Sequence, residues 1–163
     1  MQEHGLPALY TVFLWWFATG LILHLDGLRP GTFRWSMGGA TAVLAAACWG
    51  LAASAADPSA GGAYLAFTCA LAVWGWLELS FLTGWVTGPR KTPCEPGASG
   101  WPRFFAAAAA VLWHELAILA GAALVAALTW GGPNQIGTGT FLVLWTMRLS
   151  AKLNVFLGVR NLA

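Results

Sequence analysis

Two acids and two bases stand where the sequence around them is apolar. Glu78, Glu115, Arg148 and Lys152 each fall inside a long hydrophobic run. An ionisable group at bilayer depth is costly, so it turns inward and takes a partner. Arg148 and Lys152 are one helical turn apart and share a face. With a rise of about 1.5 Å per residue, Arg148 and Glu115 come out within a few Å of mid-membrane. Lys152 and Glu78 come out roughly 5–7 Å nearer one face by the same arithmetic. Matched depth therefore predicts the pairs Arg148–Glu115 and Lys152–Glu78. Such pairs either tie three helices together or line a path for a proton or a substrate. The first reading is favoured, because any buried charge must be paired.

His114 directly precedes Glu115. An imidazole in an apolar bundle can ligate haem iron, and by the same lone-pair chemistry the magnesium of a chlorophyll-type ring. The plainer reading is a neutral histidine hydrogen-bonded between helices. Trp113 beside it, with Trp74, Trp76 and Trp145 at comparable depth, could wall a flat ligand. Aromatic packing in an Ala- and Gly-rich bundle explains the same rings without one. Any tetrapyrrole is expected on His114 rather than His24, which lies roughly 10 Å nearer the interface. Enzyme signatures are missing. His114-Glu115-Leu116-Ala117-Ile118 lacks the second histidine of a zincin, and no phosphate loop, dinucleotide fingerprint or nucleophile elbow occurs. The three cysteines are not at zinc spacings. A catalytic role is not expected, nor any cofactor other than a tetrapyrrole.

The elements that must position these groups are membrane helices. The chain has 163 residues, 58% hydrophobic and 9% charged, with a mean hydropathy of +0.67. So few charges cannot clothe a soluble globule. The net charge of +2, spread without a basic stripe, argues against nucleic acid. A crossing needs about 20 apolar residues. Five runs qualify: Pro7–Leu28, Trp35–Ala56, Ala63–Val86, Phe105–Leu128 and Ile136–Val159. Pro and Gly punctuate the gaps at Arg29-Pro30-Gly31, Asp57-Pro58, Gly88-Pro89, Pro96-Gly97 and Gly131-Gly132-Pro133. The expected fold is all-α, one polytopic bundle over residues 1–163, with the first run a permanent helix rather than a signal peptide. Arg29 and Arg34 occupy the first loop and Arg90, Lys91 and Arg103 the third. Arg160 follows the last run, and the other loops have no Lys or Arg. This alternation predicts the N-terminus outside and the C-terminus in the cytoplasm.

Several blocks resemble a known family. They are Phe13-Leu14-Trp15-Trp16-Phe17, Thr32-Phe33-Arg34-Trp35-Ser36-Met37, Ala63-Tyr64-Leu65-Ala66-Phe67-Thr68, Phe81-Leu82-Thr83-Gly84 and Thr87-Gly88-Pro89-Arg90. Further blocks are His114-Glu115-Leu116-Ala117, the stretch Thr129-Trp130-Gly131-Gly132-Pro133-Asn134-Gln135, the stretch Arg148-Leu149-Ser150-Ala151-Lys152-Leu153-Asn154, and Asn161-Leu162. Together they are similar to the PuhE family, photosynthetic complex assembly protein 2 of purple phototrophic bacteria. Polar residues inside apolar helices are matched as well. Family members continue into a further hydrophobic region, so the resemblance implies that this chain lacks the C-terminal region. It also implies an assembly factor in the bacterial inner (intracytoplasmic) membrane, handling bacteriochlorophyll or nascent subunits. Its partners would be the lipid bilayer and reaction-centre or light-harvesting subunits. The alternatives are a stoichiometric subunit of the photosynthetic complex, or a membrane enzyme or transporter acting on tetrapyrrole precursors.

Overall fold

The computed structural model describes residues 2–92 and 100–156. It is all-helical: α1 Gln2–Asp26, a 3-10 turn Pro30–Thr32, α2 Phe33–Ser54, α3 Ala60–Leu82, α4 Gly100–Leu128 and α5 Ile136–Phe156. Cys94, Pro96-Gly97, Arg160 and Asn161-Leu162, which carried parts of the loop, topology and family readings, lie outside the described residues.

Four segments are long and apolar enough to cross a membrane: Gly5–Asp26, Pro30–Ser54, Ala60–Leu82 and Gly100–Leu128. The sequence reading expected five. Among the described residues α5 falls short on apolarity, because its 21 residues include Arg148, Lys152 and Asn154. Its length of about 31 Å still matches the hydrocarbon thickness.

Local chemistry sets the helix ends. Ser59 caps α3, its Oγ accepting the Gly62 N–H at 3.2 Å. The Ser59 N–H in turn donates to Asp57 Oδ1 at 2.9 Å. At its other end α3 stops four residues before the expected Val86. The Ser80 carbonyl accepts the N–H groups of both Trp85 and Val86 at 2.9 Å, and Gly84 turns the chain at φ +78°. By contrast α4 starts five residues before the expected Phe105.

At the centre is α3, which contacts each of the other four helices. Leu51, Ala70, Val73, Trp74, Leu77, Ile118, Val125 and Phe141 form the core around it. In lipid, burial of apolar area cannot drive helices together, so close packing of small residues must. Gly50 lies against the Cys69 sulfur, Gly121 against Phe141 and Leu77, and Gly137 against Leu51 and Ala66. A different attachment holds α1, none of whose described residues is buried. Tyr10 hydrogen-bonds Thr68 at 2.6 Å and sets its ring edge-on to Tyr64, with centroids 4.7 Å apart.

The loops gather at two ends. Pro30, Gly31 and Arg34 share one cleft with Thr83, Gly84 and Trp85, so the first and third loops meet. At the opposite end the Asn134 N–H donates to the Ala55 carbonyl and its Nδ2 to the Ser54 carbonyl, both at 3.1 Å.

Candidate functional site

The register between helices decides which charges meet. Gly137 packs on Ala66 in the parallel pair α3–α5. The same offset followed down the helices brings Arg148 level with Glu78. Thr138 donates to Thr129, which itself donates to the Val125 carbonyl, and this fixes the antiparallel pair α4–α5. That register brings Lys152 level with Glu115. Arg148 Nη1 accordingly donates to both carboxylate oxygens of Glu78 at 2.5 Å, and Lys152 pairs with Glu115.

The four charged residues are therefore those expected, but their partners are exchanged. The depth estimate placed each residue from its own helix's midpoint and carried no information about how neighbouring helices slide. A shift of about one turn was enough to swap the pairs. The two bridges differ in cover: the Arg148 and Glu78 side chains are 15% and 20% exposed, those of Lys152 and Glu115 33% and 29%.

Phe81, at the end of α3, joins this cluster to His114. The Arg148 guanidinium sits 5.4 Å from the Phe81 ring centroid. The imidazole of His114 packs on the same ring at 4.6 Å, tilted by 35°. His114 is fully buried. Among the described residues neither of its ring nitrogens has a hydrogen-bond partner, and the same holds for Arg148 Nε and Trp145 Nε1. The segment after α3 lies along the flank of α4. The His114 N–H donates to the Thr87 carbonyl at 2.9 Å, and the Arg90 N–H to the Ala109 carbonyl at 3.3 Å. Gly88 approaches the Ala109–Ala110 backbone so closely that a Cβ there would overlap it. Sequence reasoning took Gly88-Pro89 as a turn, and Phe81, Thr87 and Gly88 entered only through blocks that carry the family resemblance, with no place in the site. The signal for Gly88 was the glycine itself, since only a residue without Cβ permits that approach.

The aromatic residues proposed around His114 are not assembled there. Trp113 is 51% exposed on the outside of α4, about 100° around the helix from His114. Trp74 packs edge-on to Phe141 at 5.3 Å. Trp76 donates its Nε1–H to Thr41 Oγ1 at 3.0 Å, tying α3 to α2. Trp145 is half-buried, and His24 is exposed at the end of α1. A tetrapyrrole needs a nitrogen lone pair and an open ring-sized face. His114 has the first, but Phe81 covers its ring, and it lines none of the five principal grooves among the described residues. These residues do not form a macrocycle cradle. Nor does any group of three His, Cys, Asp or Glu among the described residues come together as a metal site.

Fold and site define a helical bundle of membrane-protein type with an ionic cluster inside it. The chain belongs to the DUF3623 family, described as a protein of unknown function, whose model matches residues 1–163. It is 44% identical over 165 residues to an uncharacterized 30.4 kDa protein in the puhA 5′ region of Rhodobacter capsulatus. The match takes in 98% of this chain and 60% of that relative's length. No solved structure matches.

Proposed function

We propose that this chain is a non-catalytic, multi-pass membrane factor that assists assembly of bacterial photosynthetic complexes. The observation that carries this reading is the kinship with a protein located 5′ of puhA, in line with the family resemblance of the sequence blocks. The form of the molecule supports a receiving role. Grooves of about 490 Å³ and 510 Å³ flank α1 on its two sides, lined almost wholly by apolar residues. Phe13, Trp15, Trp16 and Phe17 are exposed on α1. Such a surface suits transient contact with the apolar helices of nascent subunits.

In this reading α5 also crosses the bilayer, its charges neutralised by Glu78 and Glu115, and the N-terminus lies outside. The loop geometry supports that orientation. Arg29, Arg34, Arg90 and Lys91 belong to the two loops that meet at one end. Residues 55–59 and 129–135 at the other end contain no Lys or Arg. Labelling of single cysteines at positions 34 and 57 should give opposite sidedness, with position 57 reached from the periplasm.

Gentle purification from a phototrophic host, followed by absorption spectroscopy and mass spectrometry, tests the function. Reaction-centre or light-harvesting subunits in substoichiometric amounts are expected. Stoichiometric recovery would instead make the chain a permanent subunit, and their absence would remove the assembly reading. Pigment lost in His114→Ala but kept in His24→Ala would return the tetrapyrrole reading to favour.

A further inference from the structure

A third groove, of about 620 Å³, runs between α4 and α5 on the flank of the ionic cluster. Phe104, Ala107, Ala108, Val111, Leu149 and Leu153 make it apolar, while Arg103, Arg148 and Lys152 give it three cations. Two of these are neutralised by Glu78 and Glu115. Arg103 is exposed and takes part in no ion pair among the described residues. It stands one turn before Ala107 and two before Val111, on the α4 face that lines the groove. The groove therefore combines an apolar trough with one surplus positive charge near its mouth. Arg90 belongs to the same end, its N–H bonded to Ala109, next to Ala108 of the lining. Rings at the start of α4 mark the depth of an interface. Trp101 lies 5.8 Å from Phe104 and 5.9 Å from Phe105, and Trp101 is 72% exposed.

We propose that this groove is a binding site for an anionic phospholipid. One acyl chain lies in the trough between α4 and α5, and the phosphate takes the Arg103 guanidinium. Charge complementarity selects this occupant. Basic recesses between membrane helices favour acidic headgroups over zwitterionic ones, and a guanidinium fork fits phosphate oxygens in pairs. A bare anion would gain nothing from the apolar walls, and a neutral acyl chain nothing from Arg103. The lipid would brace α5 against α4 where the Lys152–Glu115 bridge is only partly covered.

The test uses the purified chain in a neutral detergent, titrated with phosphatidylglycerol, phosphatidylcholine or inorganic phosphate. Native mass spectrometry reads the bound lipid, and thermal unfolding reads stabilisation. Saturable retention of phosphatidylglycerol is expected, with weaker retention of phosphatidylcholine. Arg103→Gln should weaken phosphatidylglycerol binding by about fivefold. Arg34→Gln, a cation at the same end but outside this groove, should leave it unchanged. Equal binding of both lipids, or equal loss in the two variants, would overturn the proposal, since either means a general surface effect. Stabilisation by inorganic phosphate alone, abolished by Arg103→Gln, would mean a free-anion site and overturn the lipid assignment. A pigment displaced by Arg103→Gln would do the same.

Discussion

The two halves of the bundle are built from different polar chemistry. At the end where residues 55–59 meet residues 129–135, neutral groups are hydrogen-bonded. Asn134 binds the Ser54 and Ala55 carbonyls. Its Oδ1 accepts the Ile136 N–H at 3.2 Å, and Gln135 Nε2 donates to the Thr129 and Gly132 carbonyls at 2.8 Å. These bonds close the carbonyl end of α2 and of α4, which would otherwise be orphaned. Toward the other end two ion pairs are added, and among the described residues the ring nitrogens of His114, Arg148 Nε and Trp145 Nε1 have no hydrogen-bond partner. Neutral, saturated networks fix one arrangement of helices. Charged, incompletely bonded ones tolerate change and are where membrane proteins place function.

The sharpest way to break this contrast is to strand one charge. Glu78→Gln leaves Arg148 with no carboxylate in the most covered part of the cluster and should cost about 3–5 kcal/mol. Unfolding in mixed micelles by denaturing detergent measures it. Removing both charges in Glu78→Gln/Arg148→Met should recover most of the loss, because desolvation no longer has to be repaid. Failure of the double variant to recover would mean that the bridge is needed for structure beyond its own charge balance.

The neutral end should respond less. Asn134→Ala removes two side-chain bonds and should cost about 1–2 kcal/mol, lowering thermal stability without changing lipid or subunit recovery. Loss of subunit recovery at full stability would move function to the neutral end. Lys152→Gln strands Glu115 on a flank that faces lipid in the proposed topology, so it should cost about 2.5 kcal/mol, between the other two.

How far the sequence carried the fold follows from the same distinction. Apolar run length and loop glycines and prolines placed all five helices, because those signals are local. The identity of the four bridging residues was legible too, since a charge in an apolar run announces its need for a partner. Their pairing was not, for register between helices rests on contacts such as Gly137 on Ala66 and Thr138 on Thr129, each between distant residues. Likewise nothing local shows that Thr87–Arg90 folds back on α4 or that Phe81 covers His114. The exposure of Trp113 was equally hidden: helix neighbours can both be buried, as Val73 and Trp74 are, and the packing of other helices decides which face is covered.

The smallest effect is expected at Asp57, the one acid in the two loops that meet at the Asn134 end. Its carboxylate is held below its ordinary pKa of 3.8, first by the Ser59 N–H and then by the Ser59 side chain. A depressed pKa in the folded state means that folding favours the ionised form. The stabilisation is therefore complete above pH 3.8 and is lost as the pH falls through the lower, folded-state value. The wild-type profile sums every titrating group, so it alone cannot isolate Asp57. Asp57→Asn keeps an oxygen to accept the Ser59 N–H and removes only the titration, leaving the other carboxylates as they were. Subtracting the two profiles should give a difference that is flat at neutral pH and shrinks below pH 3.8. The group is fully exposed, so the change is small, a shallow slope and not a transition. A difference that instead grows as the pH falls would mean that Asp57 is disfavoured as an anion in the folded chain. The capped start of α3 would then owe nothing to its charge.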